Sequence, residues 1–153
     1  MRAADLYHVG VVVDDLPNAM DQMSKVGGYR WTTLIEHPLQ FRSPTGDHET
    51  TVRFVYSIDA PHVELVQSIP GTAWTAAPGN APHHIGYFVD GLAATSAALV
   101  DAGLPVEVCG RVGEEAPAMF AYHKGRDGIR IEIVDRAAMG DWQTFLSNHS
   151  APH

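Results

Sequence analysis

Two histidines and two glutamates stand at matching places in two related stretches of the sequence. HVGVVVDDL runs from His8 to Leu16, and HIGYFVDGL runs from His84 to Leu92. Aligned without gaps they share His, Gly, Val, Asp and Leu, and Val9 faces Ile85. Each is followed by a second related segment, HVELV at His62 to Val66 and RIEIV at Arg130 to Val134. Each half therefore opens with a histidine in an apolar run and closes with a glutamate in another: His8 and Glu64, then His84 and Glu132. Burying an unpaired carboxylate is costly, and two close together more so. A divalent cation neutralises both and accepts two imidazoles as further ligands. Two neutral imidazoles with two carboxylates suit Zn, Ni, Co, Fe or Mn, and the set does not choose among them.

The elements that hold these residues follow from periodicity. Leu6 to Val13 is too short for a helix and rich in Val, so it reads as a strand. Asp14 or Asp15 caps a helix in which Leu16, Met20 and Met23 share a face; Pro17 sits in its first turn and Gly27-Gly28 stops it. Tyr29 to Ile35 reads as a second strand, and His37 to His48, with Pro38, Pro44 and Gly46, as a loop or ragged hairpin. Thr50 to Ile58 and His62 to Gln67 read as the third and fourth strands. The second half repeats the order: a strand at Ile85 to Val89, an Ala-rich helix at Leu92 to Ala102, then strands at Pro105 to Cys109, Ala118 to His123 and Ile129 to Val134. The expected organisation is one domain of 153 residues. A first module covers residues 5–68, a linker 69–82, a second module 83–136, and a tail with a short helix 137–153.

Alternate side chains of a strand share a face. His8 goes with Gly10 and Val12, Glu64 with His62 and Val66, His84 with Gly86 and Phe88, and Glu132 with Arg130 and Val134. Their apolar neighbours point the other way, to be covered by helices. His83 points away from its neighbour's site. His62 is the best candidate for an outer or substitute ligand, and Arg130 for binding an anionic substrate group. Tyr122 and His123 are adjacent, so only one of them faces the site.

Composition narrows the partners. A formal charge of −8 argues against a nucleic-acid partner, which needs a basic face. Cys109 is the only cysteine, so no intrachain disulfide forms, in keeping with a reducing compartment. With no apolar run near 18 residues and no leader-like start, the expectation is a soluble, cytoplasmic protein without a membrane partner. The tail residues Met139, Trp142, Phe145 and Leu146 recur at helical spacing and pack on this domain or on a partner subunit. Together with the Pro- and Gly-rich linker they lead to the expectation of a homodimer.

On HVGVVVDDL, HVELV, HHIGYFVD and GIRIEIVD, the chain resembles the vicinal oxygen chelate superfamily, which includes glyoxalase I, methylmalonyl-CoA epimerase, extradiol dioxygenases and bleomycin-resistance proteins. The resemblance covers roughly residues 5–136. It implies an α+β fold, two βαβββ modules whose curved mixed sheet forms a cup around one divalent metal. It makes His8, Glu64, His84 and Glu132 the ligands, a set most similar to short bacterial glyoxalase I. The doubled His resembles the epimerase, whose base would fall here on Asp47 or Glu49. The implied function is a metal-dependent lyase or isomerase acting on a small-molecule substrate. It would promote proton transfer at a carbon next to a carbonyl through a metal-bound enolate or enediolate, with Glu132 or Glu64 moving the proton. The alternatives are an iron-dependent ring-cleaving dioxygenase and a metal-free drug-binding protein. Arg130, His62, Tyr122, Asp47 and Glu49 are the candidate substrate contacts.

Overall fold

The computed structural model describes residues 1–150. Its strands and helices alternate in the expected order, twice over. The first pass is β1 (Leu6–Val13), α1 (Leu16–Gly27), β2 (Ile35–Ser43), β3 (Gly46–Tyr56) and β4 (Val63–Gln67). The second is β5 (His84–Val89), α2 (Leu92–Asp101), β6 (Val106–Gly110), β7 (Phe120–Lys124) and β8 (Arg130–Asp135). Two short helices follow, α3 (Arg136–Met139) and α4 (Trp142–Asn148). The fold is α+β, dominated by mixed sheet.

Local chemistry accounts for the helix ends. The Asp15 carboxylate accepts the Asn18 amide at 3.0 Å, which satisfies one of the open donors of the first turn of α1. Gly28 closes the helix at φ 71°, a left-handed conformation that carries no steric penalty without a Cβ. One expectation is corrected here. Tyr29 to Leu34 forms no regular strand; Trp31 makes only an isolated bridge to Ser57, and the strand starts at Ile35. Trp31 is buried against α1, its indole N–H donating to Met20 O and Ser24 Oγ. The backbone still pairs locally, Thr32 N–H donating to Tyr56 O at 2.9 Å and Ile58 N–H to Arg30 O at 2.8 Å. The stretch after His37 is a true hairpin, in which Leu39 and Phe41 are buried while Gln40 and Arg42 are exposed.

The chain divides into two compact units. One comprises Met1–Tyr7, Pro38–Thr51 and His84–Met139; the other comprises His8–His37, Val52–His83 and the chain from Gly140 onward. In the second of these, β1 pairs with β4 in parallel and β4 with β3 antiparallel. Leu16, Trp31, Val55 and Leu65 make its core, with Val11, Val13, Met20 and Met23 packed around them. Burying a side chain such as Leu65 contributes about 1.5–3 kcal/mol. The tail joins this unit. Leu146 is buried, and Trp142 and Phe145 set their rings on Tyr56 at 4.9 and 6.0 Å.

The other unit repeats the plan. There β5 pairs with β8 in parallel, β8 with β7 and β7 with β6 antiparallel, and β2 joins through Phe41 and Arg42 opposite Gly110 and Cys109. Val89, Leu92, Cys109, Ala121 and Ile133 form the core under α2. His123 points into this side. Its Nδ1 lies 2.8 Å from Leu104 O, which can only accept, so Nδ1 carries the proton and Nε2 accepts from Ser96 Oγ at 3.0 Å. Burial pushes the His123 imidazole below its ordinary range, opposed in part by the bond to Leu104. Protonation is thus favoured in the unfolded chain. His123 contributes stability that is full above the ordinary imidazole pKa of about 6.5 and is lost as pH falls below it. The stability advantage of wild type over His123→Gln, read from urea midpoints between about pH 8 and pH 5, should therefore shrink toward the acid end. Parallel curves would show that His123 does not titrate on unfolding.

Candidate metal centre

The strand faces set the four side chains. Val11 and Val13 pack with the α1 residues, so His8 and Gly10 stand on the opposite face of β1. Glu64 lies directly across from Gly10 in the parallel register. In the other unit Ile131 and Ile133 pack under α2, and Glu132 lies across from Gly86. Each glutamate therefore has a glycine beside it on the neighbouring strand, with no side chain to fill the space that the carboxylate and the imidazole share.

The two pairs have the same geometry. His8 Nε2 is 3.5 Å from Glu64 Oε2, and His84 Nε2 is 3.5 Å from Glu132 Oε2. An N–H···O hydrogen bond is about 2.7–3.2 Å long. Two atoms bound to one ion at about 2.1 Å, at a tetrahedral angle, stand about 3.4 Å apart. The observed spacing is that of two ligands on one ion. His8 is fully buried, and His84, Glu64 and Glu132 are buried as well. Each of the four offers one ligand atom, and these atoms all lie within 4.8 Å of one another. Two neutral nitrogens and two anionic oxygens, held this close out of water, fit a divalent cation.

The remaining candidates are placed elsewhere or play other parts. His62 precedes β4; its Nδ1 is 3.0 Å from Ser57 O, and its ring meets Trp142 edge-on at 5.5 Å. Arg130 forks onto Glu107 of β6, with contacts of 2.5 and 2.7 Å. Asp47 receives Arg42 at 2.7 Å and Arg111 at 3.3 Å. The hydrogen bond from Arg42, helped by the charge of Arg111, holds its carboxyl below the usual carboxylate range. Glu49 is exposed and accepts from Gln40 at 3.2 Å. His83, buried, has its Nε2 2.6 Å from Ala73 O. Of the adjacent pair, His123 turns to the helix side, while Tyr122 stands beside Glu132 with its ring 5.0 Å from that of His84.

One residue of the site escapes a reading of the sequence. Tyr56 is buried, lies directly across from Glu64 and meets His8 with ring centroids 5.5 Å apart. The signal is present in the chain as the matched triplets Phe54-Val55-Tyr56 and Phe120-Ala121-Tyr122. They stand at different distances from Glu64 and Glu132, so an ungapped comparison does not align them.

Comparison with known proteins agrees with this architecture. The profile of the Glyoxalase/Bleomycin resistance protein/Dioxygenase superfamily matches residues 7–135. No functionally curated protein matches the sequence. Among solved structures, a methylmalonyl-CoA epimerase variant from Streptomyces coelicolor, in complex with 2-nitronate-propionyl-CoA, is similar with a TM-score of 0.59. It is 17% identical over 97% of this chain and 98% of that one. Methylmalonyl-CoA epimerase from Mycobacterium tuberculosis is similar with a TM-score of 0.55 and 20% identity, over 88% of this chain and 92% of that one. A hypothetical protein from Bacillus halodurans C-125 has a TM-score of 0.57 at 14% identity, over 85% and 92%. At these identities the structural likeness is one of fold. With the profile spanning both passes of strands and helices, the chain belongs to the glyoxalase, bleomycin-resistance and dioxygenase superfamily.

Proposed function

We propose that this protein is a metal-dependent lyase or isomerase of the glyoxalase-like type, moving a proton at a carbon next to a carbonyl. The observation that carries this reading is the buried set of two imidazoles and two carboxylates with ligand spacing. His8, Glu64, His84 and Glu132 would hold the ion. A divalent ion supplies Lewis acidity there, making the α-proton of a carbonyl compound easier to remove. Glu132 or Glu64 takes that proton on a carboxylate oxygen and returns it. His8 and His84 would bind the ion through neutral imidazole nitrogens. The alternative base positions are less suited. Asp47 is neutralised by two guanidiniums, and Glu49 lies in water.

The complete four-residue set supports this reading over a ring-cleaving iron oxygenase, which is served by two His and one carboxylate with open positions for oxygen. It supports it equally over a metal-free drug-binding module, for which buried carboxylates bring cost without return. The likeness of fold to methylmalonyl-CoA epimerases makes α-substituted acyl thioesters natural test substrates, beside the hemithioacetals of α-keto aldehydes. A cytoplasmic setting and a homodimer belong to the same reading. Among the described residues no helix is long and apolar enough to cross a membrane. Because Trp142, Phe145 and Leu146 are engaged within their own chain, pairing would use the linker rather than α4.

Metal titration of chelator-treated protein should raise its melting temperature, since an ion that binds only the folded state stabilises it by mass action; His84→Ala should abolish the rise. Glu132→Gln should retain bound metal and lose turnover by about 10²–10⁴-fold. The panel is run in deuterated water. Metal-loaded protein that neither turns over nor exchanges any α-proton, but consumes oxygen with a catechol, would overturn the lyase or isomerase reading. Light scattering should give twice the 16.6 kDa mass of the chain; a single-chain mass would reject the dimer.

A further inference from the structure

The duplicated constellation is larger than two histidines and two glutamates. In each half a tyrosine occupies the strand next to the glutamate, directly across from it: Tyr56 on β3 opposite Glu64, and Tyr122 on β7 opposite Glu132. Residues directly opposite in an antiparallel pair project to the same face. Each tyrosine therefore stands on the side that carries the histidine. Both are nearly inaccessible, at 4% and 2% exposure. Each reaches the histidine of its own half, with ring centroids 5.5 Å apart at 71° for Tyr56 and His8, and 5.0 Å apart at 37° for Tyr122 and His84. Each is braced by the phenylalanine two residues before it, Phe54 at 5.6 Å and 77°, Phe120 at 5.5 Å and 68°.

We propose that Tyr56 and Tyr122 are positioning residues for His8 and His84. An imidazole on a strand turns about χ1 and χ2, and alternation along the strand fixes only the side of the sheet it leaves from. The flat ring of the tyrosine limits that rotation. Aromatic pairs at these separations favour edge-to-face and offset arrangements, which hold the imidazole so that Nε2 faces the carboxylate oxygen. The recurrence of the same register and the same bracing ring in both halves, with a ring contact to the histidine that is edge-on in one and tilted in the other, sets these tyrosines apart from ordinary core aromatics. It is the ring of each tyrosine that the contacts place against the histidine. Aromatic pairs of this kind are worth about 2–12-fold in an equilibrium constant.

This inference rests on the reading of His8 and His84 as ligands, and the experiment separates the two. Tyr56→Leu, Tyr122→Leu and the corresponding Phe variants are compared with wild type. Leucine keeps apolar bulk without a flat ring. In the metal-free proteins, long-range proton–nitrogen spectra report the tautomer and linewidth of each imidazole. Wild type and the Phe variants should show one tautomer and narrow lines for both histidines. Tyr56→Leu should average or broaden His8 alone, and Tyr122→Leu His84 alone. In competition with a chelator, each Leu variant should bind Zn²⁺ about 2–12-fold more weakly than wild type, and each Phe variant close to wild type. Leu variants with unchanged imidazole signals and unchanged affinity would overturn the proposal, as would Phe variants that behave like Leu. If wild type takes up no ion while the spectra still follow the tyrosine, the ligand reading fails and the positioning stands.

Discussion

The structure depends on how two carboxylates are kept out of water. Glu64 and Glu132 are each more than nine-tenths buried, a placement that costs several kcal/mol for an ionised group unless charge and hydrogen bonds compensate it. A divalent charge would offset that cost, which is what makes the buried set of two histidines and two glutamates a candidate metal centre. It also explains why the carboxylates ride on β4 and β8, strands whose other face is committed to apolar cores under α1 and α2. Strands fixed on one side by packing leave the other side available for a costly group.

The same local arrangement is built twice. A histidine, a glycine two residues later, a glutamate across from that glycine on a parallel strand, and a tyrosine across from the glutamate on the next strand recur in each half. The glycines have a specific role. Gly10 and Gly86 place no side chain directly across from the glutamate, on the face that carries the histidine. Buried polar positions recurring with register, spacing and exposure all alike are an unusual outcome for unrelated core residues.

The four principal residues were legible in the sequence because strand alternation and an internal repeat are both one-dimensional signals. His8 and His84 align without a gap, and the valines and isoleucines beside each site residue announce the opposite face. What was not legible depended on partners distant along the chain. Arg130 looked available for an anionic ligand, yet Glu107, one strand further over, already receives its guanidinium in a fork. Tyr56 was invisible because hairpin register decides what stands across from Glu64, and the connections differ in length between the halves. Tyr29 to Leu34 reads as a strand by residue type, but its pairing beside the end of β3 goes no further than an isolated bridge from Trp31 to Ser57. The tail was expected against the domain or a second copy; ring contacts with Tyr56, which composition alone does not reveal, bring it onto its own chain.

His8 with Glu64 presents the same atoms at the same spacing as His84 with Glu132. The two halves do differ one layer further out. Tyr56 is backed by Trp142 and Phe145, and Trp142 also meets His62. These tail residues have no counterpart in the second pass of strands and helices. Near Glu132, the strand begins instead with a guanidinium locked to a carboxylate. The register and the donor pair thus repeat, while the residues packed behind them do not.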